Sequence, residues 1–292
     1  MKKIKIALLI FAGLAIGGTA VYVTVFQKKD VWSAPKVTVT DETLTTTLEK
    51  WQKDLESSVE IASDNGKIKK IVEQVSGFTE DQTRTATIAV ADAEGHVTKV
   101  QKEFRYEDYQ SPRFHLTRPL FFSKNDMDVY GYMSADDVLD GDLTYKIKMS
   151  GLTDESLNNG GNIPVEYRVT NSAGDTTILP VTLTVQDEKN TAGEIGINLS
   201  EYLVNLRVGD GFDPVNYLQS LQIQNNLFIR NEENYFISST GLAANLGTYH
   251  VDQVQIDNPV DTGKLGVYEV SYRFSLEFGE SGMTRLIVVV NK

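Results

Sequence analysis

The chain has 292 residues, none of them cysteine, and sets 40 acidic against 28 basic side chains for a net charge of −12. Without thiols there are no disulfide staples and no thiol nucleophile, so each folded part is held by burial alone, which takes more than about 70–80 residues per core. An acidic surface repels phosphate backbones, so nucleic acid is not an expected partner.

Residues 6–26 carry no charge and are bracketed by Lys2, Lys3 and Lys5 on one side and Lys28 and Lys29 on the other. At about 1.5 Å of rise per residue such a helix crosses a hydrocarbon core of roughly 30 Å. The segment therefore reads as a single-pass transmembrane signal-anchor, with the lysine bias placing the N-terminus in the cytoplasm and the remainder outside the cell. A cleaved secretory signal is the competing reading, because Gly18-Thr19-Ala20 is a small-residue cleavage site, although the apolar run continues past it to Phe26. No cysteine follows the span, which excludes a lipoprotein anchor. With the five flanking lysines set aside, the exported part has a balance near −17. Its ~260 residues are enough for two or three cores.

In residues 44–59, Leu48, Trp51, Leu55 and Val59 fall at helical spacing and predict an amphipathic helix. Alternation with period two takes over from residue 85. The run 85–97 lines up with 165–176, and a third version occupies 268–274 with its turn at 279–282. Each run leads through a Gly-containing turn into a second one, at 99–106, 178–185 and 283–290. The Asp/Asn-x-x-Gly turn supplies residues tolerant of positive φ, so each unit predicts a β-hairpin closing a β-domain. Short polar links at 107–111 and 187–192 separate the units, giving an anchor segment 1–29 and domains 30–108, 109–188 and 189–292. Residues 214–221 are expected to hold one short helical turn.

The stretch Val138-Leu139-Asp140-Gly141-Asp142-Leu143-Thr144, followed by the alternating run at 160–175 and the strand ending Val181-Thr182-Leu183-Thr184-Val185, resembles the bacterial immunoglobulin-like repeats of Gram-positive cell-surface proteins. The third unit gives another version at 212–217 and 260–272. The first departs most, with Arg84-Thr85 where the pattern has glycine, and it lacks the acidic turn. The resemblance implies an architecture and no activity. Spacing points the same way, since strands of about five to eight residues broken by Gly, Asn, Asp and Pro suit sandwiches of around seven strands. The expected fold class is all-β, with tandem immunoglobulin-like β-sandwich domains preceded by one N-terminal transmembrane helix.

Candidate chemistry is sparse. His96 falls in a predicted hairpin turn and His115 on a predicted strand, far in sequence from each other and from His250. There is no Gly-x-Ser-x-Gly or His-Glu-x-x-His pattern, and Asn158-Asn159-Gly160-Gly161 lacks the Lys-Ser/Thr of a phosphate loop, so it reads as a hairpin connection. No catalytic, cofactor-binding or metal-ligating residue is assigned. Asp136, Asp137, Asp140 and Asp142 form either a solvated turn or an oxygen-rich calcium site without helix-loop-helix spacing. Tyr167, Tyr268, Tyr272 and Phe274 fall on the alternating pattern as core or cross-strand residues. Phe121-Phe122 and Tyr130-Gly131-Tyr132 are less regular and offer an aromatic platform for sugar or protein. The expected function is that of a membrane-anchored, non-catalytic interaction or spacer protein of the bacterial cell surface, meeting a surface protein or glycan by loop contacts or strand addition, with residues 153–162 and 225–234 as first candidates. The alternative is a carbohydrate-binding accessory module or subunit of a cell-wall complex, which requires exposed coplanar aromatics.

Overall fold

The computed structural model describes residues 34–61, 68–125, 127–186, 195–239, 247–277 and 279–291. The apolar span 6–26 and the link at 187–192 lie outside them. Among the described residues no helix is long and apolar enough to cross a membrane. The chain is mostly strand and packs as two compact units: the first runs to Ser111 and takes in Asp137–Gly141 and Thr170–Thr176, and the second holds the rest.

The first unit carries β1 (Val37–Val39), β2 (Leu44–Thr46), α1 (Trp51–Ser57), β3 (Val59–Ile61), β4 (Lys69–Val75), β5 (Arg84–Ala91) and β6 (Val97–Tyr106). Strands β1 and β3 form one sheet, and the other has the order β2-β6-β5-β4. Alternation in β5 turns Ala86, Ile88 and Val90 into a core closed by Phe104 and Leu55. The same period drives Lys102 inside, and its ammonium donates to the Thr40 carbonyl and hydroxyl and to the Glu42 carbonyl at 2.6–2.7 Å, which offsets the cost of burying a charge. The helix expected over residues 44–59 is cut to seven residues. Two of the three consecutive β-branched Thr45, Thr46 and Thr47 sit in β2, which runs parallel to β6, and Val59 opens β3. Leu55 keeps its place in the core from the helix.

Most of β7 (Arg113–Leu116), β8 (Phe121–Ser123), β9 (Met133–Asp137), β10 (Gly141–Asp142), β11 (Lys148–Ser150), α2 (Asp154–Asn159), β12 (Gly161–Thr170) and β13 (Thr176–Gln186) lies in the second unit, as sheets β10-β9-β7 and β11-β12-β13-β8. Tyr167 is wholly buried and donates its hydroxyl to the Val129 carbonyl at 2.6 Å. A third sandwich follows in the same unit: β14 (Ile195–Leu199), β15 (Leu203–Arg207), β16 (Leu218–Ile223), β17 (Asn226–Arg230), β18 (Tyr235–Ser238), β19 (Tyr249–His250), β20 (Gln255–Asp257), β21 (Gly266–Ser275) and β22 (Ser281–Asn291). Its sheets run β14-β16-β17-β18-β19 and β15-β22-β21-β20. The predicted turn at 214–221 is a 3-10 turn at Pro214–Tyr217 that passes directly into β16.

A topology recurs in all three sandwiches. A short early strand pairs parallel with the last strand, as β2 with β6, β8 with β13 and β15 with β22, and the last two strands form a long pair. The turns in these hairpins also recur. Asp92 and Asn171 each donate their N–H to the carbonyl four residues on, and Gly95 and Gly174, at φ of +90° and +83°, donate back. Asn231 to Tyr235 repeats this with Asn234 in the left-handed position at φ +65°.

Candidate functional site

The register of β21 on β22 orders the outward face of the third sandwich into rows: Val267 with Val289, Glu269 with Ile287, Ser271 with Arg285, Arg273 with Met283, and Ser275 with Ser281. Inside the second unit these rows pass from apolar to polar. Leu203 and Ile287 are buried in the core of the second sandwich, with Val267 and Val289 packed beside them. A polar seam, shared between this row and the next, runs beside them. Glu269 accepts the Thr182 N–H at 2.7 Å, and Arg285 donates to the Thr184 hydroxyl at 3.0 Å and to the Asn162 side-chain oxygen at 3.1 Å, with its guanidinium 5.4 Å above the Phe121 ring. Arg285 and Glu269 stand 3.7 Å apart. A void of about 10 Å³ lies among them, room for no more than one water.

Beyond the seam the two sandwiches part into a cleft of about 730 Å³, within the range of ligand pockets. Arg118, Phe121 and Ser123 stand on the wall of the second sandwich, and Ile197, Arg273 and Met283 on that of the third. Gln186 and Ile195 border it, and the residues between them lie outside those described. Each wall thus presents one exposed arginine. No carboxylate lines the cleft among the described residues, and neither guanidinium meets one there. Arg118 lies 5.0 Å over the Tyr132 ring. Burial pushes the Tyr202 phenol up, against the Leu199 N–H and the positive charge of Arg118, which reaches across from the opposite wall.

Strand edges border the same space. β8 is outermost in its sheet and β14 in its own, and β15 pairs with β22 only from Ile287 onward, so the opening stretch of β22 has a strand on one side alone. Gly282 sits in that stretch because a Cβ there would stand 1.8 Å from the Ile195 carbonyl oxygen.

The residues flagged in the sequence are dispersed. Asp136 and His115 pair at 3.1 Å on an exposed face. Asp137 is buried and accepts the Leu139 and Asp140 N–H groups. Asp140 accepts from the Ser172 N–H and hydroxyl, and the Thr144 hydroxyl and N–H hold the Asp142 carboxyl below its ordinary range. No group of three or more such ligands able to hold a metal occurs among the described residues. His96 faces Asp92 at 2.8 Å, and His250 sits 3.1 Å from Asp252 with its ring against Tyr235.

Of the flagged aromatics, Phe121 and the buried Phe122 line the cleft. Phe122 and Tyr132 stack 6.2 Å apart and 19° from parallel, but Phe122 is buried, so this pair is not an exposed platform. Tyr130 is exposed and meets Tyr167 edge-on. Within 153–162, Thr153 and Ser156 form a capping box on α2, Gly160 (φ +64°) ends that helix and Gly161 opens β12. Half of 225–234 is strand β17 rather than loop. Arg118 and Arg273 went unflagged. Arg273 had a signal, an arginine on the outward position of an alternating run between Tyr272 and Phe274, whereas Arg118 follows β7 in a bend before Pro119 and had none.

No protein-family model and no curated protein matches the chain. Among solved structures it is similar to the protocadherin gamma-B4 extracellular domain (13% identity, TM-score 0.18, covering 79% of this chain and 44% of that one). It is also similar to a Clostridium perfringens M60 catalytic domain with two CBM51 domains (12%, 0.24, 91% and 40%) and to Drosophila N-cadherin EC1-4 (11%, 0.20, 80% and 68%). The chain spans less than half the length of the first two. Likenesses at these scores assign it neither activity nor partner.

Proposed function

We propose that the chain is a non-catalytic, extracytoplasmic interaction protein of a bacterial cell surface, tethered by residues 6–26, and that its partner binds in the cleft between the second and third sandwiches. One observation carries the reading: in a chain of net charge −12, a cleft of about 730 Å³ presents an arginine from each wall and no carboxylate among its described lining residues. Such placement attracts a ligand of opposite charge and orients it from both sides. The uncharged span between lysines supports the tether.

The test uses the full-length chain on intact cells with a photo-cross-linking residue at Met283, in the cleft, or at Glu60, on an exposed strand face of the first unit. A discrete adduct is expected from Met283 alone, weakened by Arg118→Gln. Equal adducts from both positions, or an adduct indifferent to Arg118, sink the reading. Protease added outside the cell should digest the region beyond the span; protection of that region overturns the topology.

A further inference from the structure

Resting on the cleft as the binding site, we infer that its occupant is an extended peptide segment bearing acidic side chains, added as a strand to the exposed edges of β8 and β22. The backbone supplies the first part of the argument. β8 is an edge strand whose Phe121 N–H is taken by the Pro119 carbonyl, and β22 over residues 281–284, short of the Arg285 seam, is paired only with β21, so Ser123 and the opening of β22 present main-chain groups to a chain entering between them. On the outward face of β22 the row at the mouth of the cleft is Ser275 with Ser281, two small side chains that leave room for a backbone.

Side chains supply the second part. An extended peptide alternates its faces with period two, and the cleft has two kinds of surface to meet them. Arg118 and Arg273 suit carboxylates, whose two oxygens match the guanidinium fork, while Phe121, Ile197 and Met283 suit apolar residues between them. A stacked sugar is disfavoured, since the near-parallel ring pair beside the cleft has its Phe122 member buried.

The experiment measures binding of a fluorescein-labelled eight-residue peptide alternating glutamate and valine to the full-length chain in detergent. The same peptide with lysine for glutamate, the same peptide N-methylated at alternate residues, and polygalacturonate as a non-peptide polyanion complete the set. The acidic peptide is expected to bind, and Arg118→Gln or Arg273→Gln should each weaken it about tenfold or more. N-methylation should abolish binding, because it removes the ladder donors, and the lysine peptide should not bind. Amide exchange at Ser123 and across residues 281–284 should slow in the complex.

Unchanged affinity of the N-methylated peptide overturns strand addition. Polygalacturonate binding with the same arginine dependence, where the peptide fails, overturns the peptide assignment and leaves the cleft standing. Peptide binding that ignores both arginine substitutions overturns assignment and cleft together. No binding of any probe overturns the inference alone, the Met283 cross-link then deciding whether the cleft is used. Both arginines are exposed, so an unchanged thermal midpoint will show that the variants fold.

Discussion

The turns at Asp92 and Asn171, both in the first unit, share a backbone and differ in where their side chains reach. Asp92 accepts the Glu94 and His96 N–H groups with one oxygen, both at 2.9 Å, and faces the His96 ring nitrogen at 2.8 Å with the other. Both Asp92 oxygens are thus spent within the turn. Asn171 accepts the Ala173 and Asp175 N–H groups, both at 3.0 Å, but its amide nitrogen donates outward to the Tyr109 hydroxyl at 2.8 Å and to buried Asp137 at 2.7 Å. Tyr109 in turn donates to Asp175 at 2.6 Å. A carboxylate only accepts, whereas a carboxamide accepts and donates, so one atom lets the Asn171 side chain reach beyond its own turn and become the hub of a network. Around that hub the Phe78 N–H donates to the Ala173 carbonyl at 2.9 Å, and its ring stacks 4.3 Å from that of Tyr109.

The largest expected effect comes from erasing the difference. Asn171→Asp removes two donors and sets a new carboxylate against Asp137, so the first unit should lose about 3 kcal/mol at pH 7, the cost of an unpaired buried charge. The loss should shrink as pH falls toward 5, because a proton shared by the two carboxyls restores a donor. Urea unfolding followed by Trp51, which stacks on Phe104 at 6.0 Å, in a Trp32→Phe background reports it. A loss under about 1 kcal/mol would show that the network is not stabilising.

The reverse change should be milder. Asp92→Asn keeps an oxygen for the two N–H groups and loses only the His96 contact, so about 1–1.5 kcal/mol is expected at pH 7. Burial pushes the Asp92 carboxyl up, but the His96 and Glu94 N–H groups and the His96 ring outweigh it and hold the pKa below 3.8. A depressed folded-state value means stability fully present above about pH 3.8 and lost as pH falls through the folded value. The wild-type and Asp92→Asn curves should therefore diverge above that point and converge below it. Parallel curves across the whole acid range would mean that Asp92 is not held ionised by the turn.

Part of this comparison was legible in the sequence. The Asp/Asn-x-x-Gly spacing gave the turns, and alternation gave β5 with β6, β12 with β13 and β21 with β22, because period-two burial and left-handed glycines are local properties. The helix over 44–59 was overread, since four apolar residues at helical spacing also fit a strand, a short helix and a strand. The acidic cluster looked like one site because its residues are neighbours in sequence, yet in β9 Asp136 is exposed and Asp137 buried, on alternating faces. The cleft was out of reach: Arg118 and Arg273 come to line one space only through the packing of two sandwiches, and Arg285 finds Asn162 across 123 residues. No local pattern encodes that.

The smallest effect isolates the hub's outer arm. Tyr109→Phe keeps the ring stacked on Phe78 and deletes one hydroxyl, leaving Asn171 and Asp175 each short of a partner, so about 1 kcal/mol is expected, with the Asp92 turn untouched. Burial first, and the adjacent Asp175 carboxylate second, push the Tyr109 phenol far above its ordinary value. A raised folded-state pKa means stability fully present below about pH 10 and lost as pH climbs toward the folded value, so the wild type should weaken in alkali more steeply than Tyr109→Phe. Amide exchange separates the arms. It should quicken at Ala173 and Asp175 in the variant and stay unchanged at Glu94 and His96; equal quickening at both turns would mean that they unfold as one and that the outward reach of Asn171 adds nothing of its own.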